Sequence, residues 1–141
     1  MIGLSWKAEA KEYVCNILVR LGALKFGVFK LTSGKVSPYY IDLRLIPSHV
    51  EAFKKICDIY VQMVVEDIGL NSFDRIAGIP TAGIPFASVI AFRVEKPFLY
   101  VREEAKAHGM GRNIEGVLNS GDRVVFIDDL ITTGRSILRA A

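Results

Sequence analysis

The stretch from Val124 to Ser136, VVFIDDLITTGRS, constrains the fold more than any other part of the sequence. Four apolar residues run directly into two adjacent carboxylates, Asp128 and Asp129. A run rich in β-branched and aromatic residues is typical of a strand that is buried on both faces of a parallel sheet. A helix-compatible segment begins at Arg135. The stretch therefore predicts a strand, a loop and a helix within an α/β domain.

The loop in this stretch has the composition of an anion site. Thr132, Thr133 and Gly134 supply hydroxyls, backbone N–H groups and freedom at positive φ where the helix would begin. Unpaired N–H groups and the helix dipole favour a phosphate there, and the two carboxylates before it suit sugar hydroxyls. A ribose 5-phosphate has both features. The alternative is a strand of a Rossmann-type fold in which the two acids only cap the next helix.

The order of residues also resembles the phosphoribosyl pyrophosphate (PRPP) motif of type I phosphoribosyltransferases: an apolar strand, two acids, two variable residues, Thr-Thr-Gly, one residue and Ser. The resemblance implies that Asp128 and Asp129 bind the ribose hydroxyls. It also implies that the loop binds PRPP, with its 5′-phosphate at Thr132 to Ser136. The implied loop ligands are Leu130, Ile131, Thr132, Thr133, Gly134, Arg135 and Ser136.

A hairpin-like region near the N-terminus resembles orotate phosphoribosyltransferases. Apolar residues from Phe26, a Ser-Gly turn and a second apolar run to Leu43 predict two strands. By themselves these residues are equally compatible with an ordinary hairpin. The resembling positions are Phe29, Leu31, Ser33, Gly34, Lys35, Ser37, Pro38, Tyr39 and Tyr40. The resemblance implies an N-terminal hood whose Tyr39 and Tyr40 bind orotate. It implies that Thr132, in the loop of the stretch Val124 to Ser136, binds orotate as well.

Two helices are predicted in the first half of the chain. Ser5 is expected to cap a helix from Trp6 to Leu21 that Gly22 ends. A second helix is expected from Pro47 to about Asp67. Their buried stripes are predicted to be Trp6, Ala10, Tyr13, Val14, Ile17 and Leu21 in the first, and Phe53, Ile56, Tyr60, Met63 and Val64 in the second. Cys15 and Cys57 are expected to be reduced core residues.

A second strand, loop and helix are predicted over residues 75–92, with the loop at Pro80 to Gly83. Small residues at the start of a helix leave backbone N–H groups open to an anion, although many α/β units pack a helix in this way. The resemblance implies that this is the pyrophosphate loop, with Thr81, Ala82 and Gly83 as its PRPP contacts.

The strand at Phe98 to Val101 is followed by a long polar stretch, Arg102 to Glu115. Its polarity alone favours a solvated excursion. Lys106, His108 and Gly109, followed by Ile114-Glu115-Gly116, resemble instead the catalytic loop of orotate phosphoribosyltransferases. The resemblance implies that Lys106 and His108 reach the pyrophosphate, typically in the neighbouring subunit of a homodimer, and that Arg102 serves the same leaving group. Cations there would stabilise the charge that develops on the leaving group.

The sequence departs from the family pattern at several positions. Thr32, Ala82 and Glu103 stand where many members have a lysine. The chain also reaches Ala141 before the further strand and helix units of the family, one of which carries an arginine that holds the orotate carboxylate. The expected fold is therefore an α/β, type I phosphoribosyltransferase-like parallel sheet flanked by helices, with a hood and without those C-terminal units.

Composition bounds the remaining properties. The length predicts one domain, with the N-terminal helix and hood at residues 1–45 and the PRPP-binding core at 46–141. A net charge of +3 with scattered basic residues does not favour nucleic acid. Prolines and glycines interrupt the uncharged stretch at 76–92, so no membrane span is expected. Acids and lysines come too early at the N-terminus for a signal peptide. The two cysteines, without CxxC spacing, are those expected of a cytoplasmic protein.

The resemblance implies a specific reaction: transfer of the 5-phosphoribosyl group from PRPP to orotate, giving orotidine 5′-monophosphate and pyrophosphate in pyrimidine biosynthesis. Lys106, His108, Asp128 and Asp129 would be the catalytic residues. Mg²⁺ would be held mainly by substrate oxygens, with no protein ligand required. The alternatives are a non-catalytic PRPP- or nucleotide-binding module, an inactive truncated transferase, and transfer to a purine base.

Overall fold

A computed structural model describes residues 2–31, 33–102 and 113–141 of the chain. By its internal contacts the chain divides into two compact units, and the boundary lies between Ile59 and Tyr60. The predicted division of a single domain into residues 1–45 and 46–141 stays a prediction.

The first unit contains a helix and a hairpin. Helix α1 covers Ile2–Arg20, and strand β1 (Leu24–Lys30) pairs antiparallel with β2 (Val36–Ile41). The register of the pair shifts between Phe26 and Phe29, as at a β-bulge. The prediction of a hairpin in this region is confirmed.

Gly22 ends α1, as the sequence predicts. Its φ of +67° is open to glycine, and its N–H donates to the Val19 carbonyl at 3.1 Å. The N–H of Ala23 donates to the Leu18 carbonyl at 2.8 Å. These two bonds form a Schellman motif, which satisfies carbonyls at the end of the helix and turns the chain into β1.

Three details of the first unit differ from the prediction. The helix begins at Ile2, so Ser5 is not its cap. The predicted stripe of α1 is only half-buried, while Leu18 is buried. Cys57 is buried as expected, but Cys15 is exposed, because it lies on the opposite side of the helix from the stripe.

The predicted second helix consists of three helical segments. A 3₁₀ helix covers Leu43–Ser48, α2 covers Val50–Met63, and a π-helical turn covers Val64–Ile68. The boundary between the two units therefore falls within α2. Met63, expected on the buried face, is 42% exposed.

The second unit holds a sheet with helices. Among the described residues its strand order is β5-β4-β3-β6, in which β3 is parallel to both β4 and β6 and β5 is antiparallel to β4. The α/β fold with a mostly parallel sheet is confirmed, although the antiparallel β5 makes the sheet mixed. The bounds are β3 Arg75–Gly78, α3 Gly83–Arg93, β4 Phe98–Val101, β5 Ile114–Glu115, β6 Val124–Ile127 and α4 Arg135–Ala140.

The core of this unit lies between β3 and α3. Ile76 and Ala77 of β3 are fully buried, and so are Ala87 and Ile90 of α3. A Cβ at Gly78 would lie 2.9 Å from Cα of Ile84, so only glycine lets the helix approach the strand this closely. Apolar burial of this kind is the main contribution to the stability of the unit.

Strand β6 is less buried than its apolar sequence predicts. Ile127 is 5% exposed, but Val124, Val125 and Phe126 are only half-buried. The reason is that β6 pairs with β3 alone in the described part of the chain. The prediction of a strand buried on both faces is therefore wrong for this chain.

Ion pairs join β3 and β6 at their amino ends. Arg75 Nε donates to Asp122, and Arg123 donates to Asp74 through Nε at 3.1 Å and Nη2 at 3.2 Å. The hydrogen bonds from Arg123 lower the pKa of Asp74 to about 2. These charges lie at the end of the strands opposite to Asp128.

Candidate functional site

Two segments of similar design meet at the carboxyl ends of β3 and β6. The inner segment (residues 75–93) comprises β3, a loop and α3; the edge segment (residues 124–140) comprises β6, a loop and α4. Because β3 and β6 are parallel neighbours, both loops leave the sheet at the carboxyl ends of its parallel strands. The N–H of Ile79 donates to the Ile127 carbonyl at 3.0 Å and extends the pairing to these ends. Ligands of open α/β sheets bind at the carboxyl ends of the strands.

The two carboxylates, Asp128 and Asp129, follow β6 directly and form a bend of the chain, here called the acid turn. The backbone N–H of Asp129 donates to Oδ1 of Asp128 at 2.9 Å. The hydroxyl of Tyr60 donates to the Asp128 carbonyl, also at 2.9 Å, and its ring packs against Phe86 with 5.9 Å between centroids. The acid pair is thus held by its own backbone and by Tyr60, which belongs to the same unit.

The contact of Tyr60 with Asp128 is one that the sequence does not indicate. Helical spacing placed it on the apolar face of the second helix, and its ring does pack as predicted. The available sign was its hydroxyl group, because a partly buried tyrosine normally finds a hydrogen-bond partner.

Asp128 has an altered proton affinity. Burial raises the pKa of its carboxyl group to about 6, and the hydrogen bond with the Asp129 side chain acts in the same direction. Two carboxylates this close resist simultaneous ionisation, so a cation or a hydroxyl-bearing ligand would relieve the repulsion. A carboxyl group with a raised pKa at the carboxyl end of a parallel strand is typical of a functional site.

The remainder of the edge loop is open to solvent. Thr132, Thr133 and Ser136 are exposed, and so is Arg135. Gly134 adopts the left-handed conformation, with φ +73° and ψ +4°, immediately before α4, and its carbonyl accepts from Leu138 N–H at 2.9 Å. The glycine of the predicted motif therefore turns the chain into the helix.

The inner loop is tighter. The bond between Pro80 and Thr81 is cis, Thr81 is exposed, and the N–H of Gly83 donates to the Ile79 carbonyl at 3.0 Å. A Cβ at Gly83 would lie 2.6 Å from the Ile127 carbonyl oxygen and 3.1 Å from Cα of Asp128. The absence of a side chain at Gly83 thus lets the two loops touch.

A cleft of about 790 Å³ opens beside the two loops. Pro80 of the inner loop, Ser136 of the edge segment and Arg102 after β4 all line it. Nη1 of Arg102 donates to Oε1 of Glu115 at 2.5 Å. Arg102 and Ser136, both predicted to bind PRPP, are therefore brought to one cleft. The other lining residues are Ile79, Val101, Asn113, Ile114, Arg139, Ala140 and Ala141.

A second cleft, of about 350 Å³, is smaller and more apolar than the first, and it is the one that the acid pair lines. The predicted residues Leu130 and Ile131 line it together with Asp128 and Asp129. Leu130 is 44% and Ile131 63% exposed, so both side chains are accessible to solvent in this cleft. The remaining lining residues are Tyr60, Met63, Val64, Ile68, Val125, Phe126 and Ile127.

The two tyrosines predicted to bind orotate differ in how firmly they are held. Both lie on β2 in the first unit, and Tyr39 is 49% exposed. The ring of Tyr40 packs against Phe29 with 5.6 Å between centroids, and its hydroxyl accepts from Arg44 Nη2 at 3.3 Å. Asp42 holds that guanidinium through Nε at 2.7 Å and Nη2 at 2.9 Å, and these bonds lower the pKa of Asp42.

Several predicted positions lie outside the described residues. They are the catalytic candidates Lys106 and His108, and the departures from the family pattern at Thr32 and Glu103. Ala82 is described and directly precedes α3 without a side-chain capping bond.

In the described ranges no three or more histidine, cysteine or acidic side chains cluster as metal ligands. No helix in these ranges is long and apolar enough to cross a bilayer.

Comparison with known proteins gives a consistent family. The model of the phosphoribosyl transferase domain matches residues 48–141. A protein of Cenarchaeum symbiosum (strain A) named orotate phosphoribosyltransferase is 47% identical over 120 residues, which are 85% of this chain but only 60% of that protein. This chain therefore spans about three fifths of that relative's length.

Solved structures agree with this family. The orotate phosphoribosyltransferase of Aeropyrum pernix is 34% identical with a TM-score of 0.73, covering 89% of this chain and 69% of that one. The UMP synthase of Leishmania donovani is 39% identical with a TM-score of 0.76, covering 94% of this chain and 27% of that one. The α/β fold with its mostly parallel sheet is thus shared with proteins of these names.

Proposed function

Because this chain belongs to the phosphoribosyl transferase domain family, we propose that it transfers the 5-phosphoribosyl group of PRPP to orotate. The products are orotidine 5′-monophosphate and pyrophosphate. The observation that carries the proposal is the contact between the two loops, in which Gly83 lies against Ile127 and Asp128. It supports one ligand that spans an acid pair and two anion-binding loops.

The proposed roles follow from the chemistry of each position. Asp128 and Asp129 accept hydrogen bonds from the ribose hydroxyls and favour positive charge on the ring. The loop from Thr132 to Ser136 takes the 5′-phosphate through hydroxyls and the N–H groups that precede α4. Thr81 to Gly83 and Arg102 take the pyrophosphate.

The reaction needs no protein nucleophile. The bond between C1 of the ribose and the pyrophosphate oxygen breaks, a bond from C1 to a ring nitrogen of orotate forms, and the proton on that nitrogen is released. Positive charge develops on the sugar and negative charge on the pyrophosphate. The chain contributes by positioning both substrates and by stabilising these charges.

Mg²⁺ fits the donor set of this site. Asp128 and Asp129 are hard oxygen donors, and Mg²⁺ usually takes one or two carboxylates together with substrate oxygens and water. We propose that PRPP oxygens hold the ion mainly, with these carboxylates as the protein's contribution. When bound, it would neutralise part of the pyrophosphate charge.

The remaining features stay within the proposal. Tyr39 and Tyr40 pack against orotate, Lys106 and His108 act on the pyrophosphate, and the segment 102–115 reaches the neighbouring subunit of a homodimer. The protein is proposed to act in the cytoplasm. The rival function is a non-catalytic PRPP- or nucleotide-binding module. It is retained as an alternative because the match covers only 60% of the relative's length.

Two measurements test the proposal. Titration calorimetry with PRPP and Mg²⁺ should show binding that Asp129→Asn weakens by about tenfold or more, since hydrogen bonds to a charged group contribute roughly 1.5–3 kcal/mol. A spectrophotometric assay should show loss of orotate in the presence of PRPP. PRPP binding without orotate loss would favour the binding module, and consumption of adenine or hypoxanthine instead would favour a purine transferase.

A further inference from the structure

Arg102 and Glu115 stand at the two ends of the segment between β4 and β5. The strands pair antiparallel, with Val101 opposite Ile114. Arg102 N–H donates to the Asn113 carbonyl at 2.7 Å, and Arg102 Nη1 donates to Glu115 Oε1 at 2.5 Å. Backbone and side chain therefore both hold Arg102 at this position.

The ion pair lies beside the larger cleft. Arg102 lines that cleft together with Pro80 and Ser136, one residue from each of the two loops. The pair is neither buried nor fully exposed, since the Arg102 and Glu115 side chains are 32% and 39% exposed. Arg102 donates to Glu115 through one guanidinium nitrogen, Nη1. A guanidinium carries several further N–H donors that can bind an anion.

A stabilising role alone does not account for this pair. Ion pairs this open to solvent contribute little to the free energy of unfolding. An unrestrained arginine, however, loses considerable side-chain entropy when it binds an anion, and a partner that holds it beforehand reduces that loss. The main effect of the pair should therefore appear in anion affinity.

We propose that Glu115 is a positioning residue that holds the guanidinium of Arg102 in the cleft for a pyrophosphate group. The inference rests on the proposed function for the identity of the anion. It deepens that function by assigning a role to an acidic residue at a site that binds an anion. Glu115 acts through Arg102 and does not itself contact the ligand.

The sign of the affinity change separates positioning from simple electrostatics. Removal of a carboxylate near the cleft should tighten anion binding if charge repulsion dominates, and weaken it if positioning dominates. We expect Glu115→Ala to weaken the binding of inorganic pyrophosphate with Mg²⁺ roughly five- to tenfold. Glu115→Gln keeps an oxygen acceptor and should retain most of the affinity.

A double-mutant cycle supplies the second criterion. Once Arg102→Ala has removed the guanidinium, adding Glu115→Ala should change pyrophosphate affinity by less than about twofold. The matched control is Glu51→Ala, which removes one negative charge at an exposed position of α2. It should leave the affinity unchanged. Thermal unfolding of every variant checks that the fold persists.

Three results would overturn the inference: unchanged or tighter pyrophosphate binding by Glu115→Ala, effects of Glu115→Ala and Arg102→Ala that add fully, or no pyrophosphate binding by the unmodified chain. The orotate assay keeps this outcome separate from the proposed function. Orotate loss with unaltered pyrophosphate binding by Glu115→Ala would overturn the role of Glu115 alone. Weakened pyrophosphate binding without orotate loss in the unmodified chain would overturn the proposed reaction alone.

Discussion

The inner and edge segments have the same order of elements but opposite environments. In the inner segment, three of the four residues of β3 are buried, as are five residues of α3. In the edge segment only Ile127 of β6 is buried, and α4, which the structure describes throughout, has no buried residue. The inner segment is thus a packed scaffold, whereas the edge segment presents an accessible loop that rests on it.

The glycine in each loop reflects this difference. Gly83 of the inner segment is required for space, since its Cβ would meet the backbone of β6. Gly134 of the edge segment has φ +73° and nothing within 4 Å of a Cβ, so it is required for conformation only. The two loops therefore each need a glycine, but for two different physical reasons.

Gly83→Ala should give the largest effect and would test the contact between the segments. An added Cβ 2.6 Å from the Ile127 oxygen forces one backbone to move. We expect a loss of about 3 kcal/mol in the free energy of unfolding, in the upper range for overpacking. Urea denaturation measures it. A loss below about 1 kcal/mol would show that the loops separate easily and that the scaffold does not hold the acid turn.

Gly134→Ala should have a smaller effect, because only the left-handed conformation is penalised. We expect a loss of about 1 kcal/mol, and less for Gly134→Asn, since asparagine tolerates this conformation better than alanine. The same denaturation experiment compares the three glycine variants. An effect of Gly134→Ala equal to that of Gly83→Ala would remove the distinction between space and conformation.

The sequence was sufficient to predict the elements of both segments but not their environments. The apolar run Val124–Ile127 correctly predicts a strand, yet its burial depends on which strands lie beside it. Residue spacing along the chain contains no such information. In the same way the sequence predicts Glu115 at the end of a long polar loop, because a strand of two residues has too little periodicity to detect.

The site shows a similar division between local and tertiary information. The acids, the threonines and Gly134 form a contiguous motif, so their sequence alone indicated them. The bond from Tyr60 to Asp128 joins residues 68 positions apart, and the pairing of Arg102 with Glu115 depends on the register of β4 and β5. Contacts of this kind follow from the fold and cannot be read from one stretch.

Tyr60→Phe tests how far the edge segment depends on neighbours other than the inner segment. The variant removes the hydrogen bond to the Asp128 carbonyl and keeps the ring packed on Phe86. We expect a loss of about 1 kcal/mol in the free energy of unfolding, and a parallel weakening of PRPP binding by about fivefold. Tyr100→Phe, a hydroxyl deletion on β4, is the matched control and should change PRPP affinity less than about twofold. Equal changes in the two variants would contradict a specific role for Tyr60.

Asp128→Asn should give the smallest change in stability, and its sign depends on pH. Burial raises the pKa of Asp128 to about 6 from the ordinary value of 3.8. The folded chain therefore holds this proton more tightly than the unfolded chain. The stabilisation that results is fully present below 3.8 and is lost as the pH rises through about 6.

Asparagine resembles the protonated carboxyl group and cannot ionise. The variant and the unmodified chain should thus have similar free energies of unfolding near pH 4, and the variant should be more stable near pH 7, by less than about 1 kcal/mol because solvent screens the group. Denaturation at several pH values measures the difference. A variant less stable than the unmodified chain near pH 7 would show that the ionised carboxylate supports the fold. If instead stability rises while PRPP binding falls, the edge segment retains a charge that its own packing disfavours, and ligand binding is the reason for that charge.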